Sequence, residues 1–266
     1  MAVKQTMLSD LFWSLIAVLR FITFLISAIL VFPAQFISAV LTRNTMLVPR
    51  YFCRLCCFIL GIRVRISGMP SKTKTLYVSN HLSWADIIVL GGCIDGAFVA
   101  KKEVANWPIF GQLARLRSTV FIQRTAGGIK EGQQKIEEVF AKGHNMILFP
   151  EGTNGWTKVE ILPFKSSYFS VTQDITIQPV AITVEAINGK HGRALTQDLF
   201  EIYGWSNVNV PPHLIFIQHF WSFLKTPSCV VRLTFCEPVV GDNRKILGQR
   251  AEAAVRNVVS KAYQAD

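Results

Sequence analysis

Asn80-His-Leu-Ser-Trp-Ala-Asp-Ile87 brings a histidine, a serine and an aspartate together, directly after the β-branched run Thr75–Ser79 and before an apolar helical pattern. A carboxylate on one ring nitrogen of a histidine fixes its tautomer and raises the basicity of the other nitrogen, as removal of an alcohol proton requires. On a regular helix, residues five apart lie about 500° around the axis, roughly 140° from alignment, so His81 and Asp86 would not share a face. They can meet if the helix begins at Ser83. Ser83-x-x-Asp86 has the form of a capping box, which leaves His81 on the preceding turn and free to fold back towards the Asp86 carboxylate. The same residues would serve equally well as a helix cap beside a loop histidine, so this stretch alone leaves both roles open.

Leu148-Phe-Pro-Glu-Gly-Thr153 also follows a strand-like run and ends in a turn. Glu151, Gly152 and Thr153 offer a carboxylate, unhindered backbone N–H groups and a hydroxyl, which together can hold a polar head group. Pro-Glu-Gly is a common turn by itself, and gains weight from the histidine motif about 70 residues upstream. For a serine hydrolase or thioesterase the candidate nucleophile is Ser83, and no Gly-x-Ser-x-Gly elbow occurs. His81, Asp86 and Glu151 are metal-ligating types, but no second histidine stands at ligand spacing, so no metal is expected. Cys53-x-x-Cys56 has neither a second pair nor a nearby histidine and reads as buried free thiols, which suit a compartment facing the cytoplasm.

The elements that must position these residues begin with a long apolar stretch. Leu11–Leu41 carries Arg20 as its one charge and Pro33 as a point of kinking. Its uninterrupted part, Phe21–Leu41, matches the roughly 20 residues a helix needs to span hydrocarbon, and it lacks a convincing cleavage site, so retention in the mature protein is expected. Met46–Ile62 contains Arg50 and Arg54 and reads as an interfacial amphipathic helix; alternatively the two segments form a two-helix unit lying in one leaflet. Residues 1–74 hold nine Lys and Arg against Asp10 alone, a net +8 of the total +11. Basic charge beside an apolar run points to anionic membrane lipid, with the downstream chain on the cytoplasmic side. No nucleic-acid motif accompanies it, so no nucleic-acid partner is expected.

From about Ser67 the texture changes. β-branched apolar runs (Thr75–Ser79, Thr119–Gln123, Asn145–Phe149, Ile175–Val184, Val230–Cys236) alternate with helical patterns at Ile129–Ala141 and about Arg244–Tyr263. This predicts an α/β fold with a mixed, largely parallel sheet flanked by helices, preceded by a membrane-associated helical segment. The division expected is an anchoring segment over residues 1–66 and a catalytic domain over 67–266. His213–Leu224, nearly all apolar and aromatic, reads as a core helix or as a second surface for membrane or acyl chain.

The motifs resemble those of the glycerolipid acyltransferase family, which includes lysophosphatidic acid acyltransferases, and the likeness covers about residues 67–240. Asn80-His81-x-Ser83-x-x-Asp86 looks like its first block, Phe121-Ile-Gln-Arg124 its second, Phe149-Pro-Glu-Gly-Thr153 its third and Ile177-Gln-Pro-Val180 its fourth. Lys101-x-Glu103 and Leu162-Pro-Phe-Lys165 also resemble family runs. The resemblance implies a membrane-bound O-acyltransferase of phospholipid synthesis, in the inner membrane if the source is bacterial, without a covalent acyl-enzyme. His81, oriented by Asp86, would take the proton from a lysolipid hydroxyl as it attacks an acyl thioester of coenzyme A or acyl carrier protein. That thioester is a co-substrate, and no cofactor is implied. Phe121, Arg124, Glu151, Gly152, Thr153, Lys165 and Lys101 would bind substrate, Glu151 by positioning. The acceptor implied is 1-acyl-sn-glycerol-3-phosphate. Ser118, Asn154 and Ser166-Ser167 depart from the usual pattern, and Phe-Lys-Ser-Ser with Tyr203-Gly-Trp205 is similar to the lyso-ornithine lipid acyltransferase branch, whose acceptor carries no phosphate. A thioesterase or a non-catalytic lipid-binding protein is the alternative of another class.

Overall fold

A computed structural model describes residues 2–42, 45–123, 126–152, 161–170, 175–191 and 212–264. The described residues contribute seven strands to one sheet, in the order β1-β7-β6-β2-β5-β3-β4. These are β1 (Ile62–Ser67), β2 (Thr75–Ser79), β3 (Gly96–Lys101), β4 (Val120–Ile122), β5 (Asn145–Leu148), β6 (Thr176–Ile187) and β7 (Cys229–Phe235). All neighbours pair in parallel except β6 and β7. The sheet is thus mixed and largely parallel, as the sequence pattern predicts. β1 and β3 lie outside the five expected strands. In β1 the alternation of Ile62, Val64 and Ile66 with Arg63 and Arg65 belongs to a charged edge strand, and it is masked by the apolar stretch running into it. Residues 62–66, grouped by composition with the anchoring segment, are strand residues of this sheet.

Alternation along the buried strands sorts their side chains to the two faces. Leu76, Val78, Met146 and Leu148 pack with Ile136, Val139 and Phe140 of α5 (Ala126–Ala141) and with Leu247, Ala251 and Val255 of α7 (Arg244–Gln264). Tyr77, Ile147, Phe149 and Ile182 face the other way. They pack with residues of α1 (Ala2–Thr42), α2 (Leu47–Ile59), α3 (Ala85–Cys93) and α6 (Pro212–Lys225). The remaining helix is the short α4 (Phe110–Leu116).

α1 runs through Pro33 as a single helix of 41 residues. Ala17, Phe24, Ala28, Val31, Gln35 and Ser38 form a buried stripe, while Leu11, Leu15, Leu30, Phe36 and Leu41 among others are exposed. α1 packs against α2, α4 and α6. Arg20, the lone charge in the apolar run, is spent on the protein: its Nη1 donates to the Leu224 and Thr226 carbonyls at 3.0 and 2.7 Å, satisfying the C-terminal end of α6. Arg50 and Arg54, read from sequence as attracting anionic lipid, donate to the terminal carbonyls of α3, to Cys93 at 3.1 Å and Gly92 at 2.8 Å respectively. α2 and α3 approach closely because Gly91 and Gly92 lie between them; a Cβ on Gly91 would meet Cys53 Sγ at 2.8 Å. α2 is thereby packed onto the helix that begins just after His81. All six cysteines are free; Cys56, Cys57 and Cys229 are buried, and burial pushes the Cys229 thiol up to about 12.

Candidate active site

Parallel pairing places the C-terminal ends of β2, β5, β3 and β4 on one edge of the sheet, which is where open α/β sheets bind ligands. Both of the expected chemical turns leave from this edge: His81 after β2 and Glu151 after β5. Arg124 and Thr153 lie outside the described residues.

β2 is buried along its whole length. Where it ends, the Asn80 side chain continues the ladder: its Nδ2 donates to the Ile182 carbonyl at 3.0 Å and its Oδ1 accepts from Ile182 N at 2.8 Å. The chain is thus pinned at the strand end before it turns. His81 then points its Nδ1 at Asp86 Oδ2, 2.9 Å away. The same carboxylate oxygen accepts from the backbone N–H of Leu82 at 2.6 Å and of Ser83 at 2.8 Å. An oxygen already accepting two backbone N–H groups is an acceptor for the ring as well, so Nδ1 carries the hydrogen and Nε2 presents its lone pair.

The capping reading holds in one half and shifts in the other. Asp86 reaches back to Ser83 N–H as the box requires, but Ser83 Oγ accepts from Ala85 N at 3.1 Å, one residue short of its expected partner. The cause is a tightly wound first turn, in which Asp86 and Ile87 donate to Ser83 and Trp84 three residues back. The helix proper starts at Ala85, and His81 stays outside it.

The His81 ring stacks on Phe149 with centroids 4.0 Å apart and planes at 16°. Its side chain remains 18% exposed against 0% for Asp86, so the ring is reachable while the carboxylate that orients it is sealed from water. Phe149, quoted in the third block without a role, is the wall that holds the ring flat. The sequence signal was its position immediately before Pro150-Glu151.

Glu151 is buried and bridges two segments. Oε1 accepts from His81 N at 2.8 Å and Oε2 from Leu162 N at 3.1 Å. Burial pushes its carboxyl up to about 7, against the two N–H bonds, which favour the carboxylate. Gly152 adopts a left-handed φ of 71° and donates to the Phe149 carbonyl at 3.0 Å, closing the turn in a conformation that favours glycine. Lys165 N donates to the Pro150 carbonyl at 3.0 Å, which sets this exposed lysine beside the same turn.

The structure therefore gathers His81, Asp86, Glu151, Gly152 and Lys165. Lys101, at the end of β3, and Phe121, in β4, lie two and three strands from β2 along the edge. Among the described residues no three His, Cys, Asp or Glu side chains are grouped to hold a metal. α6 is the expected core helix along one face, with Phe216, Phe220, Phe223 and Leu224 buried, while Ile217 and Trp221 are exposed. Its aromatic rings contact Trp84, three residues from His81.

A histidine held by a buried aspartate and open on its other nitrogen has the arrangement that general-base chemistry uses. Comparison with known proteins gives the class. The Acyltransferase family matches residues 61–183, a span containing His81, Asp86, Lys101, Phe121, Glu151, Gly152 and Lys165. The lyso-ornithine lipid O-acyltransferase of Rhodobacter capsulatus is 35% identical over 77% of this chain and 73% of its own length. The 1-acyl-sn-glycerol-3-phosphate acyltransferase of Neisseria meningitidis is 23% identical over 76% of this chain and 75% of its own. The crystal structure of the 1-acyl-sn-glycerophosphate acyltransferase of Thermotoga maritima shares the fold, with a TM-score of 0.66 and 18% identity, covering 95% of this chain and 97% of that one. The chain belongs to the acyltransferase family and is an enzyme of that class.

Proposed function

We propose that this enzyme moves a fatty acyl group from a thioester, acyl coenzyme A or acyl carrier protein, to the free hydroxyl of a lysolipid. The contact between His81 Nδ1 and the buried Asp86 carboxylate carries the reading, because it leaves Nε2 as a base at an accessible position. The hydroxyl oxygen attacks the thioester carbonyl carbon while its proton passes to Nε2. The C–S bond then breaks, the ester forms, and the leaving sulfur takes the proton from His81 to depart as a thiol. Asp86 stabilises the imidazolium between these steps. Glu151 positions His81 through its backbone N–H and holds the 161–165 strap beside it, with Gly152, Thr153, Arg124 and Lys165 around the head group.

The acceptor we favour is a lyso-ornithine lipid. It is supported by 35% identity to a lyso-ornithine lipid O-acyltransferase, against 23% to a bacterial 1-acyl-sn-glycerol-3-phosphate acyltransferase over a similar share of the chain. The Ser166-Ser167 departure after Lys165 points the same way. 1-Acyl-sn-glycerol-3-phosphate is the second reading, supported by the four ordered blocks and by Arg124, whose planar fork suits a phosphate.

Membrane attachment is supported by the apolar surface of α1 outside its buried stripe. The stripe from Ala17 to Ser38 is about 32 Å long, as deep as the roughly 30 Å hydrocarbon layer. A helix crossing upright would draw α2, α4 and α6 into the bilayer with it, which favours α1 and α2 lying in the cytoplasmic leaflet with the site on that face.

The test is to reconstitute the full chain in vesicles with radiolabelled acyl donor and offer lyso-ornithine lipid, lysophosphatidic acid and other lysophospholipids side by side. Transfer to lyso-ornithine lipid above the others is expected, with a loss of about 10³-fold in His81→Ala. An unchanged rate in that variant would sink the mechanism, and a preference for lysophosphatidic acid would select the second acceptor.

A further inference from the structure

α7 is joined to the candidate site by hydrogen bonds that its own fold does not need. Gly248, Glu252 and Arg256 stand four residues apart in this helix and so share one face of it. The strap from Ile161 to Ser166 runs along that face in the opposite direction. A Cβ on Gly248 would come within 3.3 Å of the Phe169 ring and 3.7 Å of Ser166 Cα, so the bare glycine lets the turn Ser166–Phe169 lie close against the helix. One turn further along α7, Glu252 Oε2 accepts from Phe164 N at 2.9 Å. A turn beyond that, Arg256 Nη2 donates to the Ile161 carbonyl at 3.1 Å and to Glu252 Oε1 at 2.9 Å.

The same strap is bonded to the turn after β5. Leu162 N donates to Glu151 Oε2 at 3.1 Å, and Lys165 N donates to the Pro150 carbonyl at 3.0 Å. Glu151 Oε1 in turn accepts from His81 N at 2.8 Å. A continuous set of hydrogen bonds therefore runs from α7 through the strap and Glu151 to the backbone of His81. Burial pushes the Glu151 carboxyl up to about 7, and the Arg256 charge is among the influences that draw it back down, so this guanidinium is also within electrostatic reach of the site.

Packing already anchors the strap, since Phe164 and Phe169 are buried in one cluster with Leu247, Ala251 and Val255 of α7. Apolar contact leaves the strap free to slide by fractions of an ångström, and directional bonds to its backbone do not. The side chains of Arg256 and Glu252 are 41% and 24% exposed, where an ion pair contributes little to stability. Their effect is to fix the register that sets the exposed Lys165 beside Pro150 and Glu151. Both residues lie outside the 61–183 span that the family model matches. We propose that Glu252 and Arg256 are positioning residues that hold the strap, and through it Lys165, in place for the acceptor's head group. The proposal rests on the reading of Lys165 as a head-group residue in acyl transfer.

The test is steady-state kinetics of the full chain in vesicles, with the thioester and the lysolipid that the wild type uses best. Glu252→Ala should raise the acceptor KM about tenfold and leave kcat and the donor KM unchanged, because head-group binding is loosened and the base is not. Arg256→Ala should act in the same direction by freeing the Ile161 carbonyl. Glu252→Gln should stay within about threefold of wild type, since its amide oxygen still accepts from Phe164 N. Lys165→Ala should raise the acceptor KM by itself, and adding Glu252→Ala to it should cost nothing more, because Glu252 acts through the strap. KM is independent of how much protein is folded, so a role in stability alone would lower the melting midpoint and leave KM unmoved. An unchanged acceptor KM in Glu252→Ala, an equal rise in Glu252→Gln, or additive losses in the double variant would overturn the proposal. An acceptor KM unmoved by Lys165→Ala would refute the reading of Lys165 and the proposal with it. Absence of transfer from every thioester would instead refute the acyl-transfer reading itself.

Discussion

Replacing Glu151 with glutamine keeps the side chain's size and removes a titrating group from the centre of the site. Burial carries this carboxyl from 4.5 to about 7. Between those values the folded chain holds a proton that the unfolded chain has released, so protonation favours folding. The contribution is fully present below about 4.5 and is lost as pH rises through about 7. Its size is about 3 kcal/mol. For a chain of this length, 1 kcal/mol moves the melting midpoint by ~2–4 °C, so the shift expected is ~6–12 °C. In Glu151→Gln the titration is absent. One of the N–H groups of His81 and Leu162 then faces an amino group, an offset of about 1–3 kcal/mol that does not vary with pH. Scanning calorimetry of both proteins in detergent micelles from pH 4.5 to 8.5 measures this directly. The wild-type midpoint should fall by ~6–12 °C relative to the variant across that range. A constant difference would refute the reasoning, because it would mean that Glu151 titrates alike in the folded and unfolded chains.

Asp86→Asn should lower kcat by about 10–10²-fold, less than His81→Ala, because a carbonyl oxygen can still accept from Leu82 N, Ser83 N and the ring while the charge is lost; equal losses in folded variants would contradict this. Asp86→Ala should instead abolish activity and lower the melting midpoint, since it leaves three donors without their shared acceptor in a sealed site. Arg20→Leu should cost about 2 kcal/mol, read as a midpoint lower by ~4–8 °C, because the carbonyls of Leu224 and Thr226 lose their donor. An unchanged midpoint would show that α1 is held by its apolar stripe alone.

The sequence by itself determined the parts whose cause is local. A capping serine three residues before Asp86 is sufficient to start a helix there and leave His81 outside it. Gly152 in a left-handed turn, the fully buried strand Thr75–Ser79 and the alternation of strands with helices are likewise written in short-range pattern. The family resemblance rests on the same local blocks, which is why the acyltransferase class was legible before any fold.

Only the tertiary structure decided what depends on order across the sheet. Nothing local says that β5 inserts between β2 and β3, yet that insertion brings Glu151 onto the His81 backbone and sets Phe149 against the ring. It also separates Phe121, expected from the resemblance to bind substrate, from His81 by three strands and sets it in the wall of a second cavity. The fates of Arg20, Arg50 and Arg54 were hidden for the same reason. In sequence they are charges in or near an apolar run, and the carbonyls they satisfy lie about 40 to 200 residues away. Hydrogen-bond partners at such separations are set by how helices stack on the sheet, and no periodicity within one element records that.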